Sequence, residues 1–268
     1  MRVFIIIVNY NGDPYILECL KSLYKSDISN FKVDILIVDN KSSDNSIEKI
    51  KTQFPKVKIV KNQKNLGFAA ACNRGIKISL QSKAQFIFLL NPDTVVEKKL
   101  VKPLIETAKK ENKIGIISPL LKDKYRDKDV YTTGLEFNKI IGKTSHKHYK
   151  DRPKNIIYED LVSGCAMFIK TEVFNKIGFF DERFFMYFED SDFCLRAKAA
   201  GFKIVLEPQV VVNHEISKST GKKSKSKAKN LIKSNLIFIL KHTTWYFWPL
   251  SFIYLLALFF KLCLSFIS

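Results

Sequence analysis

Apolar positions along the chain come in short unbroken runs, and these runs alternate with stretches of helical periodicity. Val3–Val8 (VFIIIV), Val33–Val38 (VDILIV), Val57–Val60 and Phe86–Leu90 (FIFLL) are the runs of the first hundred residues. Runs of this length, rich in β-branched and aromatic residues, suit strands buried on both faces of a parallel sheet. Between them Ile16, Leu17, Leu20, Leu23 and Tyr24 recur at helical spacing. Ser43 or Asp44 can cap a helix through Ile50, and Asn65–Gly75 is a glycine turn opening a helix of small residues. Successive β-then-α units imply an α/β fold, a mainly parallel sheet flanked by helices with right-handed crossovers.

The second half is less regular. A helix from about Glu97 to Lys110 and a strand at Ile114–Ile117 continue the pattern, whereas residues 118–160 are polar and carry no clear period. Order returns with a strand over Leu161–Ile169, a short helix over Thr171–Ile177 and a dense aromatic run, Phe179–Phe188. A helix from Phe193 ends at Gly201, and two short strands follow at Lys203–Leu206 and Val210–Val212. The pattern divides the chain into a globular domain over 1–217, with halves of about 1–117 and 118–217, a basic linker over 218–230 and an apolar helical tail over 231–268.

Composition narrows the function classes. Apolar residues make up 46% of the chain, which excludes a disordered protein. Of the +19 formal charge, nine lysines lie between Lys218 and Ser268, where there is no acidic residue. Such charge can attract nucleic acid, anionic lipid or nucleotide phosphates. A nucleic-acid binder would interleave lysines with aromatics on its folded domain. Here they precede a hydrophobic tail, which argues against a nucleic-acid partner. Trp245–Phe260 is sixteen mostly apolar residues, broken by Pro249 and Ser251 and followed by Lys261. With Lys261 snorkelling it makes a transmembrane or re-entrant helix; the alternative is a helix buried against the domain or a partner. The aromatics at 245–248 and the lysines before them resemble an interfacial belt with a positive-inside flank. Five scattered cysteines without a C-x-x-C pair read as buried free thiols and offer no structural zinc site. The first apolar run is too short for a signal peptide. The expected location is the cytoplasmic face of the cell membrane.

Polar residues that could carry chemistry fall where strands end: Asp39, Asn91 with Asp93, Glu189 with Asp190 and Asp192, and His214. Pro92 cannot donate to a ladder and stops its strand, leaving Asn91 and Asp93 at the carboxyl edge where open α/β sheets bind ligands. Each residue also has an ordinary structural role: a turn or cap for Asp39, helix-dipole charges for Glu189 and Asp190, a surface histidine for His214. Their co-occurrence suits a hard divalent cation, which wants oxygen ligands and tolerates an imidazole. His146 and His148 belong to no motif and are read as structural.

The order of motifs resembles the family 2 glycosyltransferases of GT-A fold, and within them the rhamnosyltransferase-like branch. The matching residues are Val8-Asn9-Tyr10-Asn11, Val38-Asp39-Asn40 with Ser42, Ser43, Asp44 and Ser46, and Asn65-Leu66-Gly67-Phe68-Ala69 with Asn73-Arg74-Gly75. They continue with Leu90-Asn91-Pro92-Asp93, Ser163-Gly164-Cys165-Ala166-Met167, and Phe184–Asp192 with Arg196 and Gly201. The resemblance covers residues 1–242.

It implies a donor nucleotide held by Asn9, Tyr10, Asn11 and Asp39, with Asn73, Arg74 and Asn91 also on the donor. It implies Mg2+ or Mn2+ on the diphosphate through Asp93 and His214, and Asp190 as catalytic base. Gly164, Met186, Glu189, Asp192 and Arg196 are implied as acceptor or supporting residues, with Asp192 orienting Arg196. A neighbouring Glu189 is expected to raise the proton affinity of Asp190 by like-charge repulsion. The implied reaction is inverting transfer of a sugar from a dTDP- or UDP-linked donor to a cell-surface glycan or lipid-linked acceptor, with the tail on a membrane surface. Association into a homo-oligomer is compatible with it. A non-catalytic nucleotide-sugar-binding homologue is the rival, disfavoured because Asp93, Asp190 and His214 are all present.

Overall fold

The computed structural model describes residues 1–125, 128–214, 225–264 and 266. β1 (Arg2–Asn9), β2 (Lys32–Asp39), β3 (Lys58–Lys61) and β4 (Phe86–Leu90) pair in the order β3-β2-β1-β4, all parallel. α1 (Tyr15–Tyr24), α2 (Ser46–Gln53) and α3 (Phe68–Gln81) connect them. All five residues of β4 are buried, because alternate side chains enter different cores. Ile5, Ile7, Phe88 and Leu90 pack with Ile16, Leu20 and Ile50 on one face. Phe4, Ile6, Ile87 and Leu89 pack with Cys72 and Ile76 on the other. Each fully buried Ile, Leu or Phe contributes about 1.5–3 kcal/mol, so both faces favour an unbroken apolar run.

β5 (Thr94–Val96), α4 (Val101–Lys110), β6 (Ile114–Tyr125), β7 (Lys128–Asn138), β8 (Lys143–Tyr149), β9 (Ile157–Glu159), β10 (Ala166–Lys170) and β11 (Lys203–His214) complete a mixed sheet. β10 inserts antiparallel between β4 and β6, while β11 runs parallel to β6 and antiparallel to β5. α5 (Thr171–Ile177) and α6 (Glu189–Ala199) join α3 on the second face. This is the GT-A type of mainly parallel sheet flanked by helices.

The irregular half departs from expectation in three places. Residues 118–160 are largely strand: β6 runs on to Tyr125, and β7 and β8 form an antiparallel pair. β8 reads KTSHKHY and has no buried face, so only its ladder with β7 defines it. The strand expected from Leu161 begins at Ala166. The two short strands expected near 203–212 are the single β11, with a register irregularity between Glu207 and Val211 that accommodates Pro208.

The tail also divides differently. α7 (Lys225–His242) starts inside the expected linker, and residues 218–224 lie outside the described residues. α7 docks on the domain instead of leading away from it. Phe238 and Ile239 are fully buried, and the Phe238 ring lies 5.1 Å from Phe137 and 5.0 Å from Phe188. Gly142, at φ +68°, makes the β7–β8 turn, and a Cβ there would strike Ile239. α8 (Trp248–Leu264) follows a short turn. The helical stretch Trp245–Leu264 is 20 residues long, and Ser251 is its one buried residue. At about 1.5 Å per residue it matches the hydrocarbon thickness of a bilayer.

Candidate active site

The topology gathers the polar strand ends on one edge. β1, β2, β4, β6 and β11 all point their carboxyl ends the same way, and antiparallel β10 starts there, with Ala166 opposite Leu90. Asn9, Asp39, Asn91, Asp123, Gly164 and His214 therefore share one rim.

On the β1–β2 side, Asn9 and Asp39 sit in register and both are buried. Asn9 Nδ2 lies 3.2 Å from Asp39 Oδ1 and donates to the hydroxyls of Ser42 (3.0 Å) and Ser46 (2.9 Å). Asn11 bends the loop at φ +54°, with Oδ1 accepting the Ser43 N–H at 2.7 Å. Tyr10 is exposed above it. Gly67, at φ +83°, packs on the backbone of Phe185, where a Cβ would not fit, and the Phe68 N–H donates to the Phe185 carbonyl at 2.7 Å. Arg74 is exposed at the end of β3 and donates to the Lys61 carbonyl at 2.8 Å. Asn73, implied as a donor contact, makes its hydrogen bonds here within the protein. It is buried, and its amide closes a pair of hydrogen bonds with the Phe180 backbone (2.9 and 3.0 Å) and a third with Glu182. It holds the loop before α6.

Asn91 turns the chain: its N–H donates to the Cys165 carbonyl (2.8 Å) and its carbonyl accepts the Thr94 hydroxyl (2.7 Å). β5 then pairs Thr94 with His214, which sets Asp93 beside the imidazole. His214 Nε2 lies 3.5 Å from Asp93 Oδ1, and Nδ1 lies 3.6 Å from Asp123 Oδ1. Burial lowers the His214 pKa, but Cys165, Asp123 and Asp93 outweigh it and push it up to about 12. A carboxylate facing Nε2 at this separation also suits a cation there. Among the described residues no three His, Cys, Asp or Glu side chains converge to hold a metal ion unaided. The reason is geometric, since the two carboxylates face opposite ring nitrogens. Asp93 and His214 would supply one carboxylate and one imidazole to a divalent cation, leaving its other positions to ligands from outside the protein. Asp123 then fits as the carboxylate that orients the histidine. Asp123 was not legible beforehand, because it lies in the stretch without a period.

Asp190 opens α6. Its Oδ2 accepts the Gly164 N–H at 2.8 Å, and its Oδ1 accepts the Ser191 N–H at 2.7 Å. Tyr187 and Phe188 precede it at φ +74° and +68°, a left-handed conformation that bulky residues rarely adopt and that clusters at functional sites. Met186 turns its carbonyl to the Ser234 hydroxyl at 2.8 Å. Glu189 reverses its expected part. It is the fully buried member of the pair, and burial, helped by the charge of Asp190, pushes its pKa up to about 8. The like-charge effect therefore acts on Glu189, whose carboxyl keeps its proton past the usual carboxylate range. Asp192 is fully buried, with Arg196 Nε at 2.9 Å on one oxygen and Lys241 Nζ (2.5 Å) and His242 Nε2 (2.8 Å) on the other. Arg196 also donates to the carbonyls of Ile177 (2.9 Å) and Phe179 (2.8 Å). Partial desolvation, with His148 and His214 against Asp190 and Asp123, holds the His146 pKa below the usual imidazole value.

The sequence profile of Glycosyl transferase family 2 matches residues 4–178. The N-acetylglucosaminyl-diphospho-decaprenol L-rhamnosyltransferase of Mycobacterium tuberculosis is 27% identical over 271 residues, covering 92% of this chain and 87% of that protein. The dTDP-rhamnosyl transferase RfbF of Shigella flexneri is 26% identical, covering 80% of this chain and 69% of that protein. Among solved structures, GalNAc-T7 with UDP, GalNAc and Mn2+ has a TM-score of 0.69 at 18% identity, over 87% of this chain and 47% of that one, so the chain spans about half its length. Residues 1–349 of S. aureus TarS give 0.59 at 17% identity, over 99% of this chain and 72% of that one. These two likenesses concern the fold. With the motifs gathered on one rim and the profile covering most of the domain, the chain belongs to glycosyl transferase family 2, as a glycosyltransferase of the rhamnosyltransferase-like kind.

Proposed function

We propose that the protein transfers L-rhamnose from a dTDP- or UDP-linked donor to a hydroxyl of a lipid-linked or nascent cell-surface glycan, inverting the anomeric centre. The observation that carries this reading is the single rim on which Asp39 beside Asn9, Asp93 beside His214, and Asp190 against Gly164 all lie. The relatives named above, whose names specify rhamnosyl transfer, a dTDP donor and a diphospho-decaprenol acceptor, support the choice of sugar and acceptor class. The exposed apolar helix Trp245–Leu264 supports work at the cytoplasmic face of a membrane, as a span or a peripheral anchor.

In this mechanism Asp39 and the Asn9–Asn11 loop hold the nucleoside, and Arg74 faces the diphosphate. The acceptor oxygen attacks the anomeric carbon while its proton passes to the Asp190 carboxylate. The bond from that carbon to the diphosphate breaks, and its electron pair leaves with the nucleoside diphosphate. A Mg2+ or Mn2+ ion held by Asp93 and His214 would supply charge stabilisation to that leaving group.

The test uses the full chain in phospholipid vesicles, a panel of nucleotide sugars and polyprenyl-diphospho-sugar acceptors. Divalent-cation-dependent release of nucleoside diphosphate, with an inverted product, is expected. Asp190→Asn abolishes it and keeps nucleotide binding. Full turnover in Asp190→Asn overturns the assignment of the base. Nucleotide-sugar binding without release by the wild type favours the non-catalytic homologue.

A further inference from the structure

We infer that Lys241 and His242, at the end of the helix leading into the apolar tail, are positioning residues for the catalytic segment. They hold Asp192, and through it the first helical turn that carries Asp190. The inference rests on the role given to Asp190 above. Arg196, one turn along the same helix, already supplies Asp192 with one cation. Two further partners, the Lys241 ammonium and the His242 imidazole, come from α7 and meet the other carboxylate oxygen. Lys241 Nζ also lies 2.8 Å from Asp181, at the opposite end of the aromatic segment. One lysine thus ties both ends of residues 181–192. Between those ends α7 touches the segment twice more, through Ser234 on the Met186 carbonyl and Phe238 against Phe188.

The segment needs such support. Tyr187 and Phe188 hold consecutive left-handed conformations that cost energy and persist only where the surroundings impose them. Asp190 follows two residues later. A displacement of about 1 Å in a reacting group can cost on the order of 100-fold in rate. Asp192 cannot relax into solvent, since it is fully buried. Losing a partner there leaves part of a buried charge uncompensated and strains the turn. The tail helix is therefore part of the active-site scaffold as well as a candidate anchor.

The test compares full-length variants in vesicles. Lys241→Met keeps an apolar stem over the Phe184 ring, 5.7 Å from the present ammonium, and removes the charge. We expect kcat to fall by about tenfold or more, with donor KM and nucleotide affinity within about twofold of wild type. Lys241→Arg restores kcat to within about threefold, and His242→Gln loses less than Lys241→Met. Hydrogen exchange at residues 187–192 rises in Lys241→Met relative to the rest of the domain, a readout that needs no turnover. Unchanged kcat and unchanged local exchange in both Lys241→Met and His242→Gln overturn the inference. So does a kcat loss that merely tracks a loss of nucleotide-binding protein. A wild type without turnover overturns the proposed reaction, and the exchange comparison still decides the positioning role.

Discussion

Glu189→Gln is the most informative single substitution, because one buried carboxyl controls a measurable part of the pH dependence. Glu189 is buried beside Cys72, and its pKa rises from 4.5 to about 8. The folded value lies above the unfolded one, so the protein is most stable below pH 4.5 with respect to this group and loses stability as pH rises through about 8. Each pKa unit is about 1.4 kcal/mol, so ionisation opposes folding by roughly 3 kcal/mol at pH 7 and roughly 5 kcal/mol above pH 8. That is a large share of a typical stability of about 5–15 kcal/mol. Glutamine keeps the shape and cannot ionise. Denaturant midpoints of both proteins in detergent, from pH 5 to 9, should lie closest at pH 5, diverge steadily up to about pH 8 and keep a constant gap above it. The variant should become the more stable, and Asp190-dependent turnover should persist at pH 7. Parallel curves with a constant offset across the range would refute a neutral, buried Glu189.

Two further substitutions probe the donor side. Gly67→Ala places a methyl against the Phe185 backbone at a left-handed φ, and should cost about 1–3 kcal/mol as a lowered thermal midpoint; an unchanged midpoint counts against the close packing of the two segments. Asp39→Ala removes the carboxylate that Asn9 and the Ser42 N–H face, and should weaken nucleotide binding by roughly ten- to hundredfold in a titration; wild-type affinity would remove Asp39 from the nucleotide site.

Features set within a few consecutive residues belong to the sequence alone. FIFLL is a strand because both of its faces meet apolar neighbours, and Pro92 ends it wherever that strand is placed. The asparagine and aspartate after it, the glycine turn at Gly67 and the acidic opening of α6 are local in the same sense. They make the family and the α/β architecture legible in the sequence. The tertiary structure alone decided what depends on distant partners. β8 carries no pattern of its own and exists through its ladder with β7. Asp123 meets His214 because β6 and β11 are neighbours in the sheet. Lys241 reads as part of the tail's charge until the fold closes it, with His242, on Asp192. Glu189 reads as a charged neighbour of Asp190, and burial raises its own pKa to about 8 instead. The common reason is that burial, strand pairing and charge compensation are set by residues far away in the chain, whereas periodicity reports only a residue's near neighbours.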